Sequence, residues 1–155
     1  MRGGRTGALR AGRCSESSRT YLVTTATAGR ERFLADRRVA ALILDSIRWL
    51  EDQGRLHCLA AVVMPDHLHA VVELRVHPLS SVMHSLKSFT AKQVNSSLGR
   101  SGSVWQRQYQ EAALRDDVAV RRAIRYCILN PVRAGLAAEP GRYPGCLSKF
   151  PLDSL

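Results

Sequence analysis

A chain of 155 residues is long enough to bury one hydrophobic core and too short for two. Its 45% hydrophobic content is ordinary for a globular protein, and its longest apolar run, residues 58–64, falls far short of the roughly 20 residues of a bilayer-crossing helix, so a soluble protein is expected. Lys and Arg number 23 against 13 acidic residues, a net charge of +10 that calls for a polyanionic partner, either nucleic acid or an anionic surface.

The first nineteen residues carry Arg2, Arg5, Arg10, Arg13 and Arg19 among four glycines, with Glu16 the only acid and no apolar stretch of a secretory signal. Residues 1–19 read as a basic, flexible arm, either a plain disordered end or a phosphate-touching segment; an organelle transit peptide shares the composition. Tyr21, Val23, Thr24 and Thr25 lie in a β-branched and aromatic stretch from residue 20 to 27 that predicts a first strand, broken by Gly29. Val39, Leu42, Ile43, Ile47 and Leu50 recur at helical spacing, and Gly54 just past Gln53 ends that helix. Residues 56–64 suit a buried central strand, and Pro65-Asp66 turns it into a second strand, giving a hairpin. After Pro78 a second amphipathic helix places Leu79, Val82, Met83, Leu86, Phe89 and Val94 inward, with Lys87, Lys92 and Asn95 outward. Residues 104–114 read as a last strand. A third helix, capped by Asp116 or Asp117, runs to Asn130, where Pro131 is expected to end it.

The order β-α-β-β-α-β plus one helix predicts an α+β protein with the ferredoxin-like split arrangement: an antiparallel sheet with helices on one side, and a C-terminal helix carrying chemistry. Residues 20–143 form the expected catalytic domain and 144–155 a short tail. The four cysteines, Cys14, Cys58, Cys127 and Cys146, show no CxxC pair, which argues against a zinc knuckle or a disulfide framework and fits a reducing cytoplasm.

Chemistry concentrates at two places. In Met64-Pro65-Asp66-His67-Leu68-His69 the alternation of a strand puts both imidazoles on one face, opposite Leu68, Ala70, Val72 and Leu74. Two imidazoles so placed can chelate one ion and leave positions open for substrate oxygens; the same spacing also occurs on half-exposed strand faces with two ordinary histidines. His57, His77 and His84 show no such partner. In the last helix Val120, Ile124, Cys127 and Ile128 make the packed stripe, from which Tyr126 is turned by roughly 200° relative to Ile124 and Ile128. Arg122, Tyr126 and Asn130, four apart, stack a cation, a phenol and an amide on one face: a phosphate holder, a nucleophile and a metal-ligating oxygen, or simply a polar helix surface. Tyr21, Tyr109 and Tyr143 lack that setting. Tyr109 follows Trp105-Gln106-Arg107, an aromatic and basic mix suited to stacking on unpaired bases, although a tryptophan in a closing strand is also ordinary core.

These segments, with Leu86-Lys87-Ser88-Phe89-Thr90 and Tyr126-Cys127-Ile128-Leu129-Asn130-Pro131-Val132-Arg133-Ala134-Gly135-Leu136, resemble as an ordered set the REP-associated tyrosine transposases, single-tyrosine members of the HUH superfamily of single-strand transposases and nickases. The likeness spans Tyr21 to about Tyr143. It implies that His67, His69 and Asn130 hold Mg²⁺ or Mn²⁺, that Tyr126 attacks the scissile phosphate to give a 5′-phosphotyrosine, and that the substrate is single-stranded DNA bearing a repetitive palindromic hairpin. Lys87, Lys92, Trp105, Arg107, Arg122 and Arg133 are then the expected DNA contacts. A bacterial, cytoplasmic and nucleoid-associated protein follows, monomer or homodimer, with the tyrosine acting on its own or its partner's histidines. A noncatalytic nucleic-acid-binding domain of the same fold, and a metal-dependent phosphodiesterase using water, are the alternatives.

Overall fold

The structure, a computed structural model, describes residues 19–155. Strands β1 (Thr20–Ala26), β2 (Leu56–Met64), β3 (His67–Leu74), β4 (Gln110–Leu114) and β5 (Cys146–Ser148) form one sheet in the order β4-β1-β3-β2-β5, every neighbouring pair antiparallel. Helices α1 (Arg37–Asp52), α2 (Leu79–Leu98) and α3 (Asp117–Arg133) connect or follow them. The α+β class and the split β-α-β-β-α-β order are therefore as the sequence pattern predicts.

Both faces of the sheet are buried, by different helices. Leu68, Ala70, Val72 and Leu74 of β3 join Ile43, Ile47 and Leu50 of α1 and Val82, Met83 and Leu86 of α2 in the larger core. On the other face Val71 of β3, with Ala60, Val62 and Met64 of β2, packs against Ala123, Ile124, Cys127 and Ile128 of α3. The imidazole-bearing face is thus the one α3 covers, because β3 alternates and its two faces serve two cores.

Local signals set most ends. The Asp36 carboxylate caps α1 by accepting from the Arg38 and Val39 amides at 2.8 and 3.4 Å, and Gly54, at φ 72°, supplies the left-handed residue past its end. Asp116 caps α3 through the Ala119 amide at 2.8 Å. Pro131 does not end α3 at Asn130: it sits buried in the last turn and the helix continues to Arg133. Leu136 N–H donates to the Pro131 carbonyl at 2.8 Å, closing the helix one turn later than the proline predicts.

Two further expectations are corrected. The last strand covers only Gln110–Leu114; ahead of it Trp105 makes a single bridge to Thr27 and the intervening chain is irregular. Phe89 faces outward at 41% exposure, stacked on Trp49 with ring centroids 5.7 Å apart, and Thr90 takes the inward place. Residues 146–148 of the tail pair with β2, where the Val63 amide donates to the Gly145 carbonyl at 2.8 Å. A Cβ on Gly145 would lie 2.9 Å from the Val63 carbonyl oxygen, so this close approach requires glycine. Of the N-terminal arm, residues 1–18 lie outside the described residues; Arg19 belongs to the domain, buried, its carbonyl accepting from the Leu74 amide.

Candidate active site

The hairpin between β2 and β3 has Pro65 and Asp66 as its two turn residues, with Met64 opposite His67. The turn is held from both sides: the Thr27 amide donates to the Asp66 carbonyl at 2.9 Å and the Leu34 amide to the Pro65 carbonyl at 3.0 Å. His67 and His69 follow directly, so their backbone is fixed before their side chains are considered.

Each ring is then oriented through Nδ1. His67 Nδ1 donates to Asp66 Oδ1 at 2.7 Å, while Asp66 Oδ2 accepts from Arg30 Nε at 3.1 Å. Burial pushes the Asp66 carboxyl up, but His67 and Arg30 outweigh it and hold it below the ordinary carboxylate range, so it is an acceptor at neutral pH. Across the sheet Thr24 stands opposite His69, and Thr24 Oγ1 shares a hydrogen bond of 2.7 Å with His69 Nδ1. His69 is 7% exposed; burial first, then the neighbouring His67 and Arg30, push its pKa down to about 4, which keeps it neutral. The two rings meet edge to face, centroids 4.6 Å apart.

With Nδ1 of both rings engaged, Nε2 remains for a ligand, the arrangement in which outer-shell carboxylates and hydroxyls set a metal-binding imidazole. Among the described residues no group of three or more His, Cys, Asp and Glu side chains comes together, so any further protein ligand is of another type. Two imidazole nitrogens on one strand face are a donor pair of the kind that binds divalent metal ions.

Helix α3 brings the phenol to this pair. Packing of Ala123, Ile124, Cys127 and Ile128 on the sheet leaves Tyr126 beside β3 at 38% exposure. Its Oη lies 3.5 Å from His69 Nε2 and the two rings meet edge to face, centroids 5.0 Å apart. Asn130, half-buried, is one turn further along α3, and Arg122, exposed, one turn before. His67, His69 and Tyr126 are thus brought together within one chain.

The other expected residues fare differently. Trp105 is buried at 7% exposure, its indole Nε1 donating to Thr90 Oγ1 at 2.9 Å, so its ring is core and not a platform for bases. Lys87 Nζ donates to the Gln106 and Arg107 carbonyls at 2.8 and 3.0 Å and thereby ties α2 to the segment before β4. Lys92, Arg107 and Arg133 are exposed. Tyr21 is core and Tyr143 Oη donates to the Val63 carbonyl, roles unlike that of Tyr126. His57 meets Glu51 at 3.6 Å and also Arg75, with no second imidazole beside it among the described residues. The roles of Thr24 and Arg30 carry no signal in the sequence, since they depend on register and on a turn; Asp66, adjacent to His67, could have been found.

A five-stranded antiparallel sheet flanked by helices on both sides, with paired imidazoles on its central strand and a tyrosine helix laid beside them, defines the α+β class of this protein. The sequence model of IS200-like transposases matches residues 15–127, most of the chain, and the protein belongs to that family. It is a transposase acting on DNA. Among solved structures it is similar to a REP-associated tyrosine transposase bound to a REP hairpin, with 24% identity, 79% of this chain and 72% of that one covered, and a TM-score of 0.60. It is also similar to a protein of Deinococcus radiodurans R1 assigned as a transposase, with 21% identity, 79% and 93% covered, and a TM-score of 0.56. Among curated proteins none matches. No helix among the described residues is long and apolar enough to cross a membrane.

Proposed function

We propose that the protein cleaves and rejoins single-stranded DNA beside a hairpin of a repetitive palindrome, with Tyr126 as the nucleophile. The observation that carries this reading is the placement of Tyr126 Oη 3.5 Å from His69 Nε2, beside two imidazoles whose Nδ1 atoms are both taken. The Tyr126 oxygen forms a bond to phosphorus as the bond from phosphorus to the 3′ oxygen breaks; the phenol loses a proton and the released 3′-hydroxyl gains one. Because the phosphodiester bond is exchanged and not hydrolysed, a 3′-hydroxyl can reverse the step without another energy source.

His67, His69 and Asn130 would hold a divalent ion, Mg²⁺ or Mn²⁺, which when bound supplies charge stabilisation to the phosphate oxygens. The protein's own contribution is positional. Asp66 and Thr24 fix the two rings, α3 fixes the phenol, and Arg122, one turn before Tyr126, gives a cation for a neighbouring phosphate. Lys92, Arg107 and Arg133 add to the net charge of +10 that attracts the DNA backbone. The relative bound to a REP hairpin supports a hairpin substrate and the REP-associated lineage for this chain.

The test is a denaturing gel of the protein with end-labelled hairpin DNA and Mn²⁺. A covalent protein–DNA band is expected, absent in Tyr126→Phe while the variant melts like the wild type. A band that persists in Tyr126→Phe, or cleavage that leaves no protein-bound DNA, overturns the assignment, the latter in favour of water as the nucleophile.

A further inference from the structure

Beside the histidine pair, on the β4 side of the sheet, lies a cavity of about 150 Å³ whose lining includes Thr24, Arg30, Gln106, Gln108, Tyr109 and Gln110. Its position follows from register. Thr24 pairs with His69 on one side and with Gln110 on the other, so His69, Thr24 and Gln110 form one row across β3, β1 and β4 on the same face. The cavity is thus one strand away from His69.

The lining is unusual in kind. Gln106, Gln108 and Gln110 bring three amides, each with two donors and an acceptor, and no carboxylate. Such groups match the edge of a nucleobase, where a single glutamine can make a paired donor and acceptor contact. Tyr109 also borders the cavity, while its ring packs against the larger core with Lys87 Nζ 5.7 Å from the centroid, so the amides and Arg30 carry the recognition. Arg30 serves both places, lining the cavity while its Nε bonds Asp66, the carboxylate that orients His67. A duplex end is too wide for a space of this volume, whereas one splayed-out base suits it.

We propose that this cavity receives the unpaired base of a nucleotide next to the cleaved phosphate, and that Gln108 and Gln110 determine which base is accepted. The inference rests on the proposed function for the position of the phosphate, yet the base contact itself needs neither the nucleophile nor an ion. It is tested with the Tyr126→Phe protein and fluorescein-labelled hairpin oligonucleotides in metal-free buffer, by fluorescence anisotropy. An abasic residue is placed at each single-stranded position in turn. At one position the abasic substitution should weaken binding by about tenfold, and the four natural bases there should bind unequally.

In a Gln108→Ala, Gln110→Ala double variant with an unchanged melting temperature, both the abasic penalty and the inequality among bases should vanish at that position. Penalties of equal size in both proteins, or none at any single-stranded position, overturn the proposal. Should the double variant melt lower, the single variants Gln108→Ala and Gln110→Ala are read by the same two quantities. If the covalent band is missing while the penalty follows the glutamines, the strand-transfer reading falls and the pocket stands; a covalent band with no such penalty removes the pocket and leaves strand transfer intact.

Discussion

Thr24 performs no chemistry, yet its hydroxyl holds the orientation of the His69 ring. His69 is enclosed between β1 and α3, and its one oriented hydrogen bond within the sheet is the 2.7 Å contact to the Thr24 hydroxyl. Thr24→Val keeps the branched shape and removes the hydroxyl, leaving Nδ1 without its partner and the ring free to turn. Outer-shell partners of this kind are typically worth about 10–100-fold in metal affinity, so titration calorimetry with Mn²⁺ should show a loss of that order in Thr24→Val and recovery in Thr24→Ser. Equal affinities in all three proteins would show that the hydroxyl does not set the ring. The imidazoles were legible in the sequence because strand alternation alone puts residues 67 and 69 on one face, and the Tyr126–Asn130 pair because helical spacing does the same. Thr24 was not legible as a partner of His69: the two are 45 positions apart, and only the β1–β3 register joins them. Arg30 was hidden for a different reason, since it reaches Asp66 from a turn in which its own φ is 56°.

Elements rather than residues decide how the C-terminal segment is secured. Glu51, in the last turn of α1, accepts from the Cys58 amide at 3.0 Å, where β2 shifts register, and pairs with Lys149 just beyond β5. Burial alone would raise the Glu51 carboxyl, but Lys149, the Cys58 amide and His57 together hold it below its ordinary 4.5. A carboxyl lowered in the folded state lends stability that is complete above its unfolded value and disappears as pH falls through its folded one. Thermal melts from about pH 6 to about pH 3 should therefore fall less steeply in Glu51→Gln than in the wild type, with the variant already less stable at the upper end. Parallel curves would mean that Glu51 contributes no proton-linked stability. None of this clamp could be read from sequence, because β5 is three residues long and has no pattern of its own. The long elements were legible from apolar periodicity and their caps, whereas Pro131 misled as a terminator: a proline within the last turn forfeits only one backbone donor, and packing of Ile124, Cys127 and Ile128 carries the helix past it. Trp105 misled in the same way, since aromatic character marks a core residue and a stacking platform alike.

At the scale of the molecule, the two-faced sheet places Tyr126 beside the histidines of its own chain. α3 follows β4 through a short connection and returns across β2 and β3 of its own sheet, burying Ala123, Ile124, Cys127 and Ile128 against Ala60, Val62, Met64 and Val71. That packing fixes the rotation of the helix, and with it the 3.5 Å approach of Tyr126 to His69 of the same chain. A partner's tyrosine could replace it only if α3 left a buried apolar face, at roughly 25 cal/mol for each Å² exposed. Mixing Tyr126→Phe with a His67→Ala, His69→Ala variant should therefore give no covalent adduct at any ratio. A site shared between subunits would instead place one intact combination in each mixed dimer and restore roughly a quarter of the wild-type yield. The two outcomes separate on one gel, and restored yield would mean that the helix packing seen within the chain is exchanged between copies in the active species.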